Sequence, residues 1–119
     1  MGEKRTFTLT LTASDELLDD IVAIAEGRKG IDLWAIALGN HAWEQSVENG
    51  EPKHPISFVV DRDLIVRGLE ALFTDGFQVG GYIQRAVIDA ISEDDSFPID
   101  CEIADVIVQA AVFGEIIYG

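Results

Sequence analysis

The apolar residues of this chain follow two different spacings, and the combination restricts the folds that the chain can adopt. Near the start, Phe7, Leu9 and Leu11 alternate with threonines over residues 6–12, which is the pattern of a strand with one buried face. Further along, apolar residues recur every three or four positions, as they do on one face of a helix. Both spacings in a chain of 119 residues predict an α+β fold in one domain over residues 1–119.

The helical segments carry clear start signals. Ser14 or Asp15 precedes the first, and Asp61 and Asp100 precede two others. Short polar side chains at these positions accept hydrogen bonds from the free N–H groups of the first helical turn. The spacing and these signals predict helices over residues 15–26, 61–74, 79–92 and from residue 101 onward.

The stretch from Arg28 to Pro55 is less regular. Residues 31–38 fit either a strand or a short buried helix, a turn at Gly39-Asn40 follows, and residues 43–47 fit a second strand. Residues 48–52 contain Asn-Gly, which favours a hairpin loop, and residues 56–60 alternate again. We therefore expect a small antiparallel sheet of about three strands, with three to four helices packed on it.

Large apolar side chains stand out in two places. Phe113, Ile116 and Tyr118 are close to the end of the chain, where fraying is the default, so we expect them to pack on the core or on a second subunit. Trp34 and Trp43 fit either of two roles. They are large core residues, or they bind a partner, because tryptophan is enriched at interface hot spots.

The charge is strongly negative, with 22 acidic against 8 basic residues and a net charge of −14. No Lys or Arg follows Arg85. Such a surface repels nucleic acid phosphates and anionic membranes, so we expect no direct binding to either. It attracts a basic protein, including one whose own task is to grip nucleic acid. Solubility or salt tolerance would explain the same acidity without a partner.

The acidic residues are dense in the loop between the last two predicted helices and at the start of the last one. We expect their carboxylates to share one surface and to bind the partner, and we single out six of them: Glu93, Asp94, Asp95, Asp100, Glu102 and Asp105.

Sequence patterns for catalysis or for a cofactor are missing. His41 and His54 have no second His or Cys at metal-ligand spacing, and Cys101 is the only cysteine. We therefore expect no metal, no cofactor and no enzymatic activity. A single cysteine excludes an internal disulfide and fits a reducing compartment, and the first residues lack the apolar region of a signal peptide. The expected location is the cytoplasm.

The C-terminal residues carry a pattern of their own. It consists of Asp105-Val106, Gln109, Phe113-Gly114-Glu115 and Tyr118-Gly119. This pattern resembles the C-terminus of small, largely uncharacterised acidic proteins encoded by phages, prophages and plasmids. The segment Ala23–Gly27 followed by Trp34 is similar to a second, weaker element of that group. The resemblance implies an origin in a mobile element and brings no catalytic residue.

Size, charge and this resemblance together favour one function class. We expect a non-enzymatic phage or mobile-element protein that inhibits or regulates a host nucleic-acid-handling complex, of the anti-CRISPR or anti-restriction type. Its acidic surface would bind a host protein with a basic groove. The alternative is a structural or housekeeping interaction module, either monomeric or homodimeric, whose acidity serves solubility or salt tolerance.

Overall fold

Four helices and three strands form the regular structure of residues 10–119, the part of the chain that the computed structural model describes. This confirms the predicted α+β class. The helices are α1 (Asp15–Ala25), α2 (Arg62–Leu72), α3 (Gly81–Glu93) and α4 (Cys101–Phe113). The strands are β1 (Ala35–Gly39), β2 (Ala42–Gln45) and β3 (Ser57–Val59), and a single 3-10 turn, Ile31–Leu33, precedes β1.

Three of the four helices begin at the predicted side-chain caps. Ser14 Oγ accepts a hydrogen bond from the Leu17 N–H at 3.1 Å. The carboxylates of Asp61 and Asp100 likewise accept hydrogen bonds from the N–H groups of Leu64 and Ile103, each at 2.8 Å. These bonds satisfy donors that a helix start leaves without an intrahelical partner. In α3, which begins at Gly81, no side chain makes a capping bond.

The sheet is antiparallel, with the strands in the order β1-β2-β3. Both alternatives for residues 31–38 are partly right, since the 3-10 turn leads directly into β1. The Gly39-Asn40 turn joins β1 to β2 as predicted, with positive φ at Gly39, Asn40 and His41. The strand predicted over residues 6–12 lies mostly outside the described residues, and its described part, residues 10–12, is not paired in the sheet.

Helix α4 runs through the centre of the fold. Every residue from Ile103 to Ala110 is buried, and the apolar ones belong to one core cluster with α1, α2, α3 and the sheet. Its closest neighbour is α2, because Gly68 has no side chain. A Cβ atom at Gly68 would lie 2.1 Å from the Ile107 carbonyl oxygen, so only glycine permits this approach of the two backbones.

Replacing Gly68 with alanine should therefore destabilise the protein, although alanine is the better helix former. The gain in helix propensity is about 1 kcal/mol, whereas a clash with backbone forces the two helices apart and costs about 1–3 kcal/mol or more. We expect a net loss of roughly 1–2 kcal/mol in urea denaturation.

Gly81→Ala is the matched control, because nothing lies within 4 Å of a Cβ atom at that position. It should leave the free energy of unfolding unchanged or raise it slightly. Equal midpoints for Gly68→Ala and Gly81→Ala would show that the close approach does not limit packing.

Candidate functional site

A buried carboxylate lies at the contact between α4 and the start of the sheet. Asp105 is 9% exposed. Its Oδ1 accepts a hydrogen bond from Trp34 Nε1 at 2.6 Å, and its Oδ2 accepts one from Gln109 Nε2 at 3.0 Å. Burial raises the pKa of Asp105, and the two hydrogen bonds act in the opposite direction. The ionised carboxylate suits this position because both of its neighbours are donors.

Gln109 extends this cluster to the C-terminal segment. Its Oε1 accepts hydrogen bonds from the N–H groups of Ile117 and Tyr118, at 2.9 and 2.8 Å, and its Nε2 also donates to the Tyr118 carbonyl at 3.0 Å. Gly114 ends α4 in the left-handed conformation, with φ of 71°, which turns the chain back. The side chain of Gln109 thus holds the returning backbone, and it is fully buried.

Trp34 packs between aromatic rings from two other parts of the chain. Its ring is stacked with Phe58 at a centroid distance of 5.4 Å and with Tyr118 at 5.3 Å, while Phe113 is tilted against it at 5.3 Å. The Tyr118 hydroxyl accepts a hydrogen bond from Gln45 Nε2 at 2.7 Å. Trp34 is therefore a core residue. Packing of Phe113, Ile116 and Tyr118 on the core is confirmed, each being partly buried there.

The six carboxylates singled out from the sequence do not share one environment. Glu93, Asp94 and Asp95 are exposed at the end of α3. Asp100 caps α4, and Glu102 accepts a hydrogen bond from the Tyr82 hydroxyl at 2.9 Å. Tyr82 and Asp94 mark opposite ends of α3, which rises about 18 Å between them. Five of the six residues therefore divide into two groups at different ends of this helix.

Asp105 departs from the expectation of a shared acidic surface. It lies inside the protein, bonded to Trp34 and Gln109. The sequence signal for this was the apolar run of α4, because a helix that is apolar around its whole circumference is buried on all sides. An acidic residue within such a run has to find donors inside the core.

A second acidic segment lies next to the end of α3. The Ser14 hydroxyl donates a hydrogen bond to Asp94 Oδ1, which places the start of α1 beside Asp94, and the first two turns of α1 continue from that point. We call this surface the acidic end, and all of its members are exposed: Asp15, Glu16, Asp19, Asp20, Glu93, Asp94 and Asp95.

Arg62 lies against the acidic end. Arg62 donates two hydrogen bonds to Asp19, both at 2.8 Å, and its Nη1 lies 3.2 Å from Asp15 Oδ2. The hydrogen bond from Arg62 holds the pKa of Asp19 below its usual value. Sequence analysis did not identify the α1 residues as part of a site, because the contact that joins them to α3 spans 80 positions.

A groove of about 680 Å³ opens between α1, the β1–β2 turn and the start of α2. Within it, Glu26 binds His41 Nδ1 through one carboxylate oxygen and accepts a hydrogen bond from Trp43 Nε1 through the other, at 2.8 Å. His41 has a φ of 63°, a conformation that asparagine, aspartate and histidine adopt more readily than other side chains. The polar side chains of its lining are carboxylates, this imidazole and the guanidinium of Arg62, with no hydroxyl, thiol or lysine among them.

Metal-binding clusters and membrane-spanning helices are absent from residues 10–119. No three His, Cys, Asp or Glu side chains are grouped so that they could hold a metal ion. No helix there is both long enough and apolar enough to cross a membrane. Cys101 is partly buried at the start of α4, beside a cleft of about 670 Å³.

No protein family, curated protein or solved structure matches this chain. The function is therefore argued from the residues and their geometry.

Replacing Asp105 with asparagine tests the buried cluster. The substitution removes a buried charge, which favours the variant, but it turns an amide N–H toward Trp34 Nε1 or Gln109 Nε2, both of which are donors. A buried donor without an acceptor costs about 1–3 kcal/mol. We expect this cost to dominate and the free energy of unfolding at neutral pH to fall by roughly that amount.

Asp89→Asn removes the same charge from an exposed position on α3. It should change the free energy of unfolding by less than about 0.5 kcal/mol. If Asp105→Asn proved as stable as this control, the carboxylate would not be needed as a double acceptor.

Proposed function

We propose that this protein is a non-enzymatic binding protein from a mobile element, which occupies the basic groove of a host nucleic-acid-handling protein. The observation that carries the proposal is the hydrogen bond from Ser14 to Asp94. It brings two acidic segments together at the acidic end, whose seven members are all exposed, and Arg62 lies against two of them, Asp15 and Asp19. A partner that binds phosphates presents lysine and arginine side chains, which complement such a surface.

Three of the six carboxylates that were expected to bind the partner remain in the proposed binding surface. Glu93, Asp94 and Asp95 belong to the acidic end, and the first turns of α1 supply the remaining carboxylates. Asp100 and Glu102 lie at the start of α4. Asp100 caps the helix and Glu102 accepts a hydrogen bond from the Tyr82 hydroxyl, whereas Asp105 is buried. We assign these last three to the fold rather than to the partner.

Long-range attraction sets the expected behaviour of the complex. Each exposed ion pair contributes only about 0.2–1 kcal/mol, so single substitutions should have little effect. The field of the whole surface speeds association and weakens as salt screens it. Binding should therefore depend strongly on ionic strength and on several carboxylates together.

Displacement from DNA tests this function directly. A bacterial extract is loaded on DNA-cellulose, and the purified protein is then used as the eluant. The protein should release a basic DNA-binding protein by occupying its groove, and the release should decline as salt rises. The protein itself should not be retained on the DNA, because its net charge is −14.

Two variants with equal loss of charge make the test specific. The first neutralises five members of the acidic end as Asn or Gln and leaves Asp19 and Asp94 in their hydrogen bonds. The second neutralises five exposed acids elsewhere, which are Asp32, Glu48, Glu51, Asp75 and Glu115. The first should lose displacement and the second should keep it, with circular dichroism as the folding control. Equal displacement by both, or none by the wild type, would contradict the proposal and favour a solvated acidic surface.

A further inference from the structure

The groove between α1, the β1–β2 turn and the start of α2 combines apolar and acidic side chains, and we call it the α1–α2 groove. Val22, Ala23 and Val60 supply the apolar part of its lining. The charged part consists of four carboxylates and one guanidinium: Asp19, Glu26, Asp61, Asp63 and Arg62. Asp19 is also a member of the acidic end, so the groove is continuous with the surface that we propose binds the partner.

His41 adds a further hydrogen-bond acceptor to the α1–α2 groove. Its Nδ1 bonds to Glu26, and an ionised carboxylate can only accept, so Nδ1 carries the proton. In the neutral imidazole the other ring nitrogen, Nε2, is then an acceptor. The side chain of His41 is 61% exposed, so a ligand in the groove meets an acceptor on this ring rather than a donor.

The single guanidinium of the lining is already engaged. Arg62 donates two hydrogen bonds to Asp19, each at 2.8 Å, and its Nη1 lies 3.2 Å from Asp15. An anion in the groove would compete with both carboxylates for Arg62 and would be repelled by the remaining ones. The lining therefore favours a cation that donates hydrogen bonds and accepts none.

We infer that the α1–α2 groove holds an arginine side chain of the basic partner. A guanidinium has five N–H donors and no acceptor, which matches the carboxylates and Nε2 of His41. The methylene stem of arginine packs on apolar surface, which Val22, Ala23 and Val60 provide. Its planar head also stacks on aromatic rings, as the ammonium group of lysine does not. This inference rests on the proposed function, because it names the side chain that anchors the partner beside the acidic end.

Binding of a short peptide, followed by NMR on the full chain, tests the inference without any host protein. The probe is acetyl-Gly-Arg-Gly-amide. The indole N–H of Trp43 donates to Glu26 in the groove at 2.8 Å and is the reporter, whereas that of Trp34 donates to Asp105 and is the internal control. The peptide should shift the Trp43 resonance in a saturable manner and leave Trp34 unchanged. The citrulline peptide, of equal shape but without charge, should shift neither, and the lysine peptide should bind more weakly than the arginine peptide.

Single substitutions separate the groove from the general negative charge of the protein. Asp63→Asn removes an exposed carboxylate of the lining, and His41→Asn removes the imidazole while keeping a residue type that tolerates the φ of 63°. Each should raise the Kd of the arginine peptide by about two- to fivefold. Asp75→Asn, at an exposed position outside the groove, is the matched control for Asp63→Asn and should leave the Kd unchanged.

Three results would overturn the inference: a Trp43 resonance that does not move, a shift of Trp34 in its place, or equal weakening by Asp63→Asn and Asp75→Asn. These results are distinct from a failure of the proposed function. Release of a DNA-binding protein from DNA-cellulose without binding of the arginine peptide would contradict the inference alone. Binding of the peptide at Trp43 without such release would contradict the proposed function and leave the groove as an arginine site.

Discussion

The carboxylate of Asp105, buried between the indole of Trp34 and the amide of Gln109, connects parts of the chain that are far apart in sequence. Trp34 belongs to the segment that leads into the sheet, and Gln109 holds the backbone of residues 117 and 118. A buried charge is costly unless it is hydrogen-bonded, so the two donors have to stay in place. The position of α4 relative to the sheet, and the return of the C-terminal segment over Trp34, depend on this cluster.

The C-terminal sequence pattern has a structural explanation in these contacts. Asp105 and Gln109 form the polar cluster, Phe113 and Tyr118 pack against Trp34, and Gly114 supplies the left-handed residue that turns the chain. The pattern therefore describes how the chain end is attached. In this protein the residues of the C-terminal pattern hold the chain end in place, and the proposed partner surface uses other residues.

The local features of the fold could be predicted from the sequence, whereas the features that depend on distant contacts could not. Apolar spacing and capping residues act within a few positions, so α1, α2 and α4 were predicted with their caps. The burial of Asp105 was missed because charge alone suggested exposure, while its donor Trp34 is 71 positions away. The link between Ser14 and Asp94, and that between Glu26 and His41, likewise form only when the helices and the sheet have packed.

Hydrogen exchange followed by NMR tests most directly whether the Asp105 cluster holds the fold together. The reporters are the indole N–H of Trp34 and the backbone amides of Ile117 and Tyr118, which all bond to members of the cluster. If the cluster is integral to the fold, these protons exchange only through global unfolding, as slowly as the amides in the centre of α4. Exchange of Ile117 and Tyr118 at the rate of a frayed chain end, with α4 still protected, would contradict this account.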